Sequence, residues 1–187
     1  MGFIKSFIFG LLAASGALCV ELLLSNLYYV AYVKDIATDY STSLTIFLLI
    51  VVLIEEIFKY ILLVKLYSAP ESQSPKISMA LVFGLGFSLV EILFSLSQTP
   101  PSYGAILGFQ SLGAPLLHIA TAGIIGMFIL SSKNIRPALV IGTAFGLHST
   151  YNLLVIYGWS YAIIYSYLAA VFLLLAALRR RSVRTRI

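Results

Sequence analysis

Charge is what this sequence has least of. Lys, Arg, Asp and Glu fill only 10% of its 187 positions, against about 25% in an ordinary soluble domain. Polar stretches long enough to make a separate soluble unit are also missing, so the whole chain, 1–187, is expected to be a single membrane domain. One cysteine, Cys19, leaves no partner for an intrachain disulfide. Internal repeats and low-complexity tracts are absent, which excludes a repeat array. The HExxH pairing that places two zinc ligands on one helix face is absent as well; the only histidines, His118 and His148, fall in different hydrophobic segments.

What remains is apolar. Hydrophobic residues make up 60% of the chain, in runs near the ~20 residues that cross a ~30 Å hydrocarbon core. The runs predict six spans, at 7–33, 42–66, 77–97, 105–130, 137–157 and 159–178. Between them lie Lys34-Asp35 to Ser41, Ser68 to Lys76, Gln98-Thr99-Pro100-Pro101, Ser131 to Pro137, and Tyr157-Gly158-Trp159. Such polar, Pro and Gly breaks end helices. The fold class is therefore all-α, a polytopic membrane helix bundle. The first apolar run continues to Val33, longer than the core of a cleavable signal, so it reads as a retained helix.

The basic residues set the orientation. With the amino terminus inside, Lys5, Lys65, Lys76, Lys133, Arg136 and the tail arginines Arg179, Arg180, Arg181, Arg184 and Arg186 all lie on the inner side, and only Lys34 lies outside. By the positive-inside rule both termini face the cytoplasm. The net charge of +5 thus reads as contact with anionic lipid headgroups, not nucleic acid. Trp159 with Tyr157 and Tyr161, and Tyr28, Tyr29 and Tyr32, fit interfacial aromatic belts.

Against this background the polar residues within spans stand out: Glu21, Glu55, Glu56, Lys59, Glu91, His118, His148 and Asn152. An ionisable group at mid-membrane costs ~2.5–3.5 kcal/mol on insertion scales, so it normally faces a cavity and serves function. At ~100° per residue, Lys59 falls on the arc between Glu55 and Glu56, within side-chain reach of both. The ammonium keeps at least one carboxylate ionised, while repulsion between the two favours a proton on the other, the division of labour that acid–base hydrolysis needs. Phe87 shares a face with Glu91, and His148 shares one with Asn152. Two stripes of small residues, Ala80-Gly84-Ser88 and Ala138-Gly142-Gly146, predict close helix packing. Glu21 reads as a structural pair or a cavity-lining group.

Three motifs carry a family likeness. Glu55-Glu56-Ile57-Phe58-Lys59 is EExxK, Phe87-Ser88-Leu89-Val90-Glu91 is FxxxE, and His148-Ser149-Thr150-Tyr151-Asn152 is HxxxN. In this order on separate spans, with His118 between the last two, they resemble the PrsW-type intramembrane glutamic proteases. Those belong to the superfamily of CAAX-prenyl endopeptidases and bacteriocin-processing enzymes. The resemblance implies metal-independent endopeptidase activity without a cofactor. It makes Glu55 the general base, with Glu56 and Lys59 beside it, and His148 and Asn152 the groups that stabilise the oxyanion. It also implies a prokaryotic cell membrane and membrane-anchored substrates such as an anti-sigma factor. The CAAX branch carries histidine where this chain has Glu91, so Glu91 and His118 are both candidates to assist Glu55. Two other readings stand beside this one: a zinc-dependent intramembrane protease, since Glu and His are zinc ligands, and a proton-coupled transporter or channel.

Overall fold

In the computed structural model, residues 2–32, 40–68, 77–98, 104–131, 136–157 and 164–172 are described. They form helices α1 (Gly2–Tyr32), α2 (Tyr40–Tyr67), α3 (Ile77–Gln98), α4 (Gly104–Ser131) and α5 (Pro137–Ile156). A short α6 covers 164–172, and no strand occurs among the described residues. The chain is a polytopic helical bundle. Within the described residues α1, α3, α4 and α5 are long and apolar enough to cross a membrane. Although α2 has 28 residues, its middle holds Glu55, Glu56 and Lys59, and that charge takes it out of the purely apolar class. The first five predicted spans match α1 to α5 closely; of the sixth, 159–178, only 164–172 are described, and Trp159, Tyr161 and the arginine tail lie outside the described residues.

The bundle is apolar outside and polar within, the reverse of a soluble protein. Leu12, Leu23, Leu93, Leu139 and Phe172 are exposed, while Glu56, Lys59, His118 and Thr121 are buried. Only a lipid surrounding makes that pattern favourable. Phe83, Phe87, Leu63, Leu66 and the small residues Ala13, Ala17 and Ala80 fill the core.

Glycine sets how closely the helices approach. Helices α1 and α3 interlock: a side chain on Gly10 would strike the Phe83 carbonyl, and one on Gly86 would strike the Phe7 carbonyl. Helices α3 and α4 touch at Gly84, where a Cβ would come within 2.6 Å of Ile119 Cα and 2.9 Å of the His118 carbonyl oxygen. The Ala80-Gly84-Ser88 stripe is therefore a packing face, and Ser88 Oγ extends it with a 3.2 Å hydrogen bond to the Pro115 carbonyl.

The second stripe is a correction. Gly142 and Gly146 have no atom within 4 Å of a built Cβ, and Ala138 is exposed. On α5 the buried residues are Val140, Ala144, His148, Ser149 and Tyr151. The reason is that small residues permit close approach without compelling it. The buried histidine, which must leave lipid, decides which face of α5 turns inward.

Candidate active site

Lys59 is the centre of the polar cluster and is fully buried. An ammonium offers three donors and no acceptor, and all three are used. They reach Glu56 Oε1 at 2.6 Å, His118 Nδ1 at 2.8 Å and Thr121 Oγ1 at 3.2 Å. The nitrogen also lies 4.5 Å from the centroid of the Phe87 ring, a favourable cation–π position. Thus α2 is tied to α4 by two hydrogen bonds and to α3 by an aromatic face.

These contacts assign the protons on the imidazoles. Because Lys59 can only donate, His118 Nδ1 must accept, which leaves the ring proton on Nε2. That Nε2–H donates to Glu91 Oε2. On α5, His148 Nδ1 lies 2.7 Å from Glu56 Oε1 and donates to it. The two rings meet edge to face at 4.8 Å. Glu56 Oε1 consequently accepts from both Lys59 and His148.

Glu55 is different. It is only 6% exposed, yet its Oε2 has no hydrogen-bond partner. The closest imidazole nitrogens are His148 Nδ1 at 3.6 Å and His118 Nδ1 at 3.9 Å. The adjacent glutamates have therefore separated in role. Glu56 anchors the network through Oε1; its Oε2, like that of Glu55, has no hydrogen-bond partner, but of the two only Glu55 lines a cavity.

A cavity of about 310 Å³ opens beside Glu55, walled by residues of α1, α3 and α4 that include Glu21, Phe87, Glu91 and Pro115. Glu91 is 34% exposed along its side chain. Pro115 stands inside α4. Its ring removes one backbone hydrogen bond of the helix, three residues before His118. His118, His148 and Asn152 lie outside the cavity lining. Asn152 is half-buried one turn beyond His148 and has no hydrogen bond to the cluster.

The structure thus gathers Glu55, Glu56, Lys59, Phe87, Glu91, His118 and His148, and leaves Asn152 at the margin. Thr121, which holds the third hydrogen of Lys59, escaped the sequence reading. Its signal was present: a threonine three residues after His118 in an otherwise apolar run. Of the two candidates to assist Glu55, His118 is bonded to Glu91 and lies 3.9 Å from Glu55, and Glu91 lines the same cavity as Glu55.

A family model described as PrsW family intramembrane metalloprotease matches residues 3–178, nearly the whole chain. The chain belongs to the PrsW family. It is accordingly an integral membrane protease, and membrane proteins are its substrates. Among curated proteins and among solved structures there is no match.

The PrsW description implies a metal, and the donor set invites the question. Glu55, Glu56, His118 and His148 each offer a ligand atom, and these atoms lie within 4.8 Å of one another. As arranged here they do not fit a divalent ion. Both nitrogens of His118 are engaged, by Lys59 and by Glu91, and Glu56 Oε1 already serves two donors. The Lys59 ammonium stands where a second cation would be strongly repelled at such short range. Ligation through His118 would require it to give up its hydrogen bond to Lys59 or to Glu91.

Proposed function

We propose that this PrsW protein is a glutamic endopeptidase that cuts membrane-anchored proteins with a water activated by Glu55. One observation carries the reading: Glu55 is a buried carboxylate that lines a cavity, while the adjacent Glu56 lies outside that lining and is held by Lys59 and His148. A base must lie within reach of its proton donor, and of the two adjacent glutamates only Glu55 lines the space that a water and a peptide can enter.

The reaction then runs with few parts. Glu55 takes a proton from water as the oxygen attacks the scissile carbonyl carbon, forming a tetrahedral intermediate. Returning that proton to the amide nitrogen releases the amine product. The oxyanion is met by groups on α5, the His148 ring and the Asn152 amide. For this the substrate carbonyl reaches past Glu55 toward α5. Lys59 keeps Glu56 charged and holds His118 in one tautomer, and Glu91 orients that ring from its other side.

The substrate class is a single-span protein cut near its membrane segment, with an anti-sigma factor as the model case. The enzyme works as one domain in a prokaryotic cell membrane with both termini in the cytoplasm. In cells, Glu55→Ala is expected to abolish cleavage of such a substrate that the wild type cuts. Unchanged cleavage would remove the basis for the assignment.

A metal-dependent mechanism is the second reading, favoured by the family description and by the convergence of two glutamates and two histidines. Metal analysis and chelation separate the two.

A further inference from the structure

Glu21 takes no part in the network that organises the other buried carboxylates. It comes from α1, which carries none of the three motifs. It is half-buried and lines the same cavity as Glu55 and Glu91. Among the described residues it has no hydrogen bond or ion pair. Around these three carboxyl groups the described wall is made of apolar side chains and one serine, with no Lys, Arg or His among the described residues. The cation of the site, Lys59, has all three hydrogens committed elsewhere.

A carboxyl group at this depth without a cation is costly to keep. Packing does not account for it, because an alanine or leucine would close the wall at lower cost. A second observation places substrate chemistry in this cavity: Glu55, more than nine-tenths buried and the proposed base, lines the same space. Among the described residues no basic side chain lines the cavity to pair with Glu21. Long basic side chains are suited to fill this need. A lysine or arginine passes its methylenes along apolar surface and presents its charge at the tip.

We propose that Glu21 is a specificity-determining residue that binds the basic side chain of a substrate lysine or arginine near the cut bond. The proposal rests on the protease reading and adds the substrate's chemical class to it. Glu55 delivers the water, and Glu21, across the cavity, selects which peptide lies there. A neutral polar side chain gives Glu21 a hydrogen bond without charge, and an acidic one meets repulsion.

The test uses the full chain in proteoliposomes with single-span reporter peptides. The reporters differ only in one residue, Lys, Gln or Glu, moved stepwise through the positions around the cut. The wild type is expected to prefer the best Lys reporter over its Gln counterpart by about tenfold or more in kcat/KM, the scale of one well-placed charged contact. In Glu21→Gln that ratio falls to about one. In Glu21→Lys the preference inverts toward the Glu reporter, which a merely structural role for Glu21 would not produce. Equal rates on Lys and Gln reporters by the wild type overturn the inference without any variant having to fold. A wild-type ratio retained in Glu21→Gln overturns it too, while leaving the protease reading intact. If the wild type cuts no reporter at all, the protease reading itself fails, and the inference falls with it.

Discussion

The Lys59 ammonium on α2 sits 2.8 Å from Nδ1 of His118 on α4, so a lysine decides which nitrogen of a buried imidazole carries the proton. From that contact the rest of the site can be traced outward: Nε2–H to Glu91 on one side, Glu56 and His148 on the other.

Removing the charge of Lys59 should therefore damage the fold before it damages catalysis. Lys59→Met keeps the bulk but leaves Glu56 without its cation in a sealed site. Breaking a buried pair in this way costs about 3–5 kcal/mol. The expected result is a lower yield of folded protein and a lower thermal midpoint in detergent, read by size exclusion and by a thermal-unfolding scan. A midpoint equal to wild type would show that the cluster does not depend on the lysine.

Activity should survive a strong chelator. With Lys59 as the resident cation, purified protein is expected to hold far less than one transition metal per chain. Cleavage after exhaustive chelation should stay within a factor of about two of the untreated enzyme, well short of the collapse that follows loss of a catalytic ion. Activity lost on chelation and regained with zinc would establish the metal-dependent mechanism.

Glu91 acts on the reaction through His118, so its substitution should slow cleavage without stopping it. Glu91→Gln retains an acceptor for Nε2–H but removes the charge. A fall of about 10- to 100-fold in kcat is expected, the range seen when an orienting partner of a site imidazole is changed. Glu55→Gln, by contrast, should leave no measurable turnover. Equal losses in the two variants would put Glu91 in direct contact with the reacting atoms.

The two small-residue stripes should respond oppositely to added bulk. Gly84→Val drives a branched side chain into Ile119 and the His118 carbonyl and should cost both stability and activity, with a penalty of about 1–3 kcal/mol typical of overpacking. Gly142→Val meets open space and should change the thermal midpoint little, within about 0.5 kcal/mol of wild type. Unfolding scans of the two proteins side by side give the answer.

Much of this architecture could be read from the residues alone. The helices follow from apolar runs of bilayer length, and the convergence of α2, α3, α4 and α5 follows from the need of Glu55, Glu91, His118 and His148 to escape lipid. Residue angles along α2 correctly placed Lys59 beside a glutamate. Other features depend on distances between helices, which spacing along one helix does not contain. Nothing in EExxK says that Lys59 chooses Glu56 and leaves Glu55 free, since both lie within one turn. Nor does FxxxE reveal that Glu91 meets His118. On α5 the histidine face turns inward as its residues require, but the close packing expected of the glycine stripe is absent, because small residues permit close approach without compelling it. Thr121 went unnoticed because a lone threonine in an apolar helix usually satisfies its own backbone.

The interlocked glycines have a mechanical consequence. Helices α1 and α3 are clamped where Gly10 meets Phe83 and Gly86 meets Phe7, yet they stand apart where the cavity begins. Beyond the clamp α1 is held again, to α2, where Gly16 meets the Phe58 ring. From that second hold to Glu21 the free arm is only about 7.5 Å at the rise of an α-helix. The wall that carries Glu21 is therefore stiff, and a polypeptide that enters the cavity must conform to it.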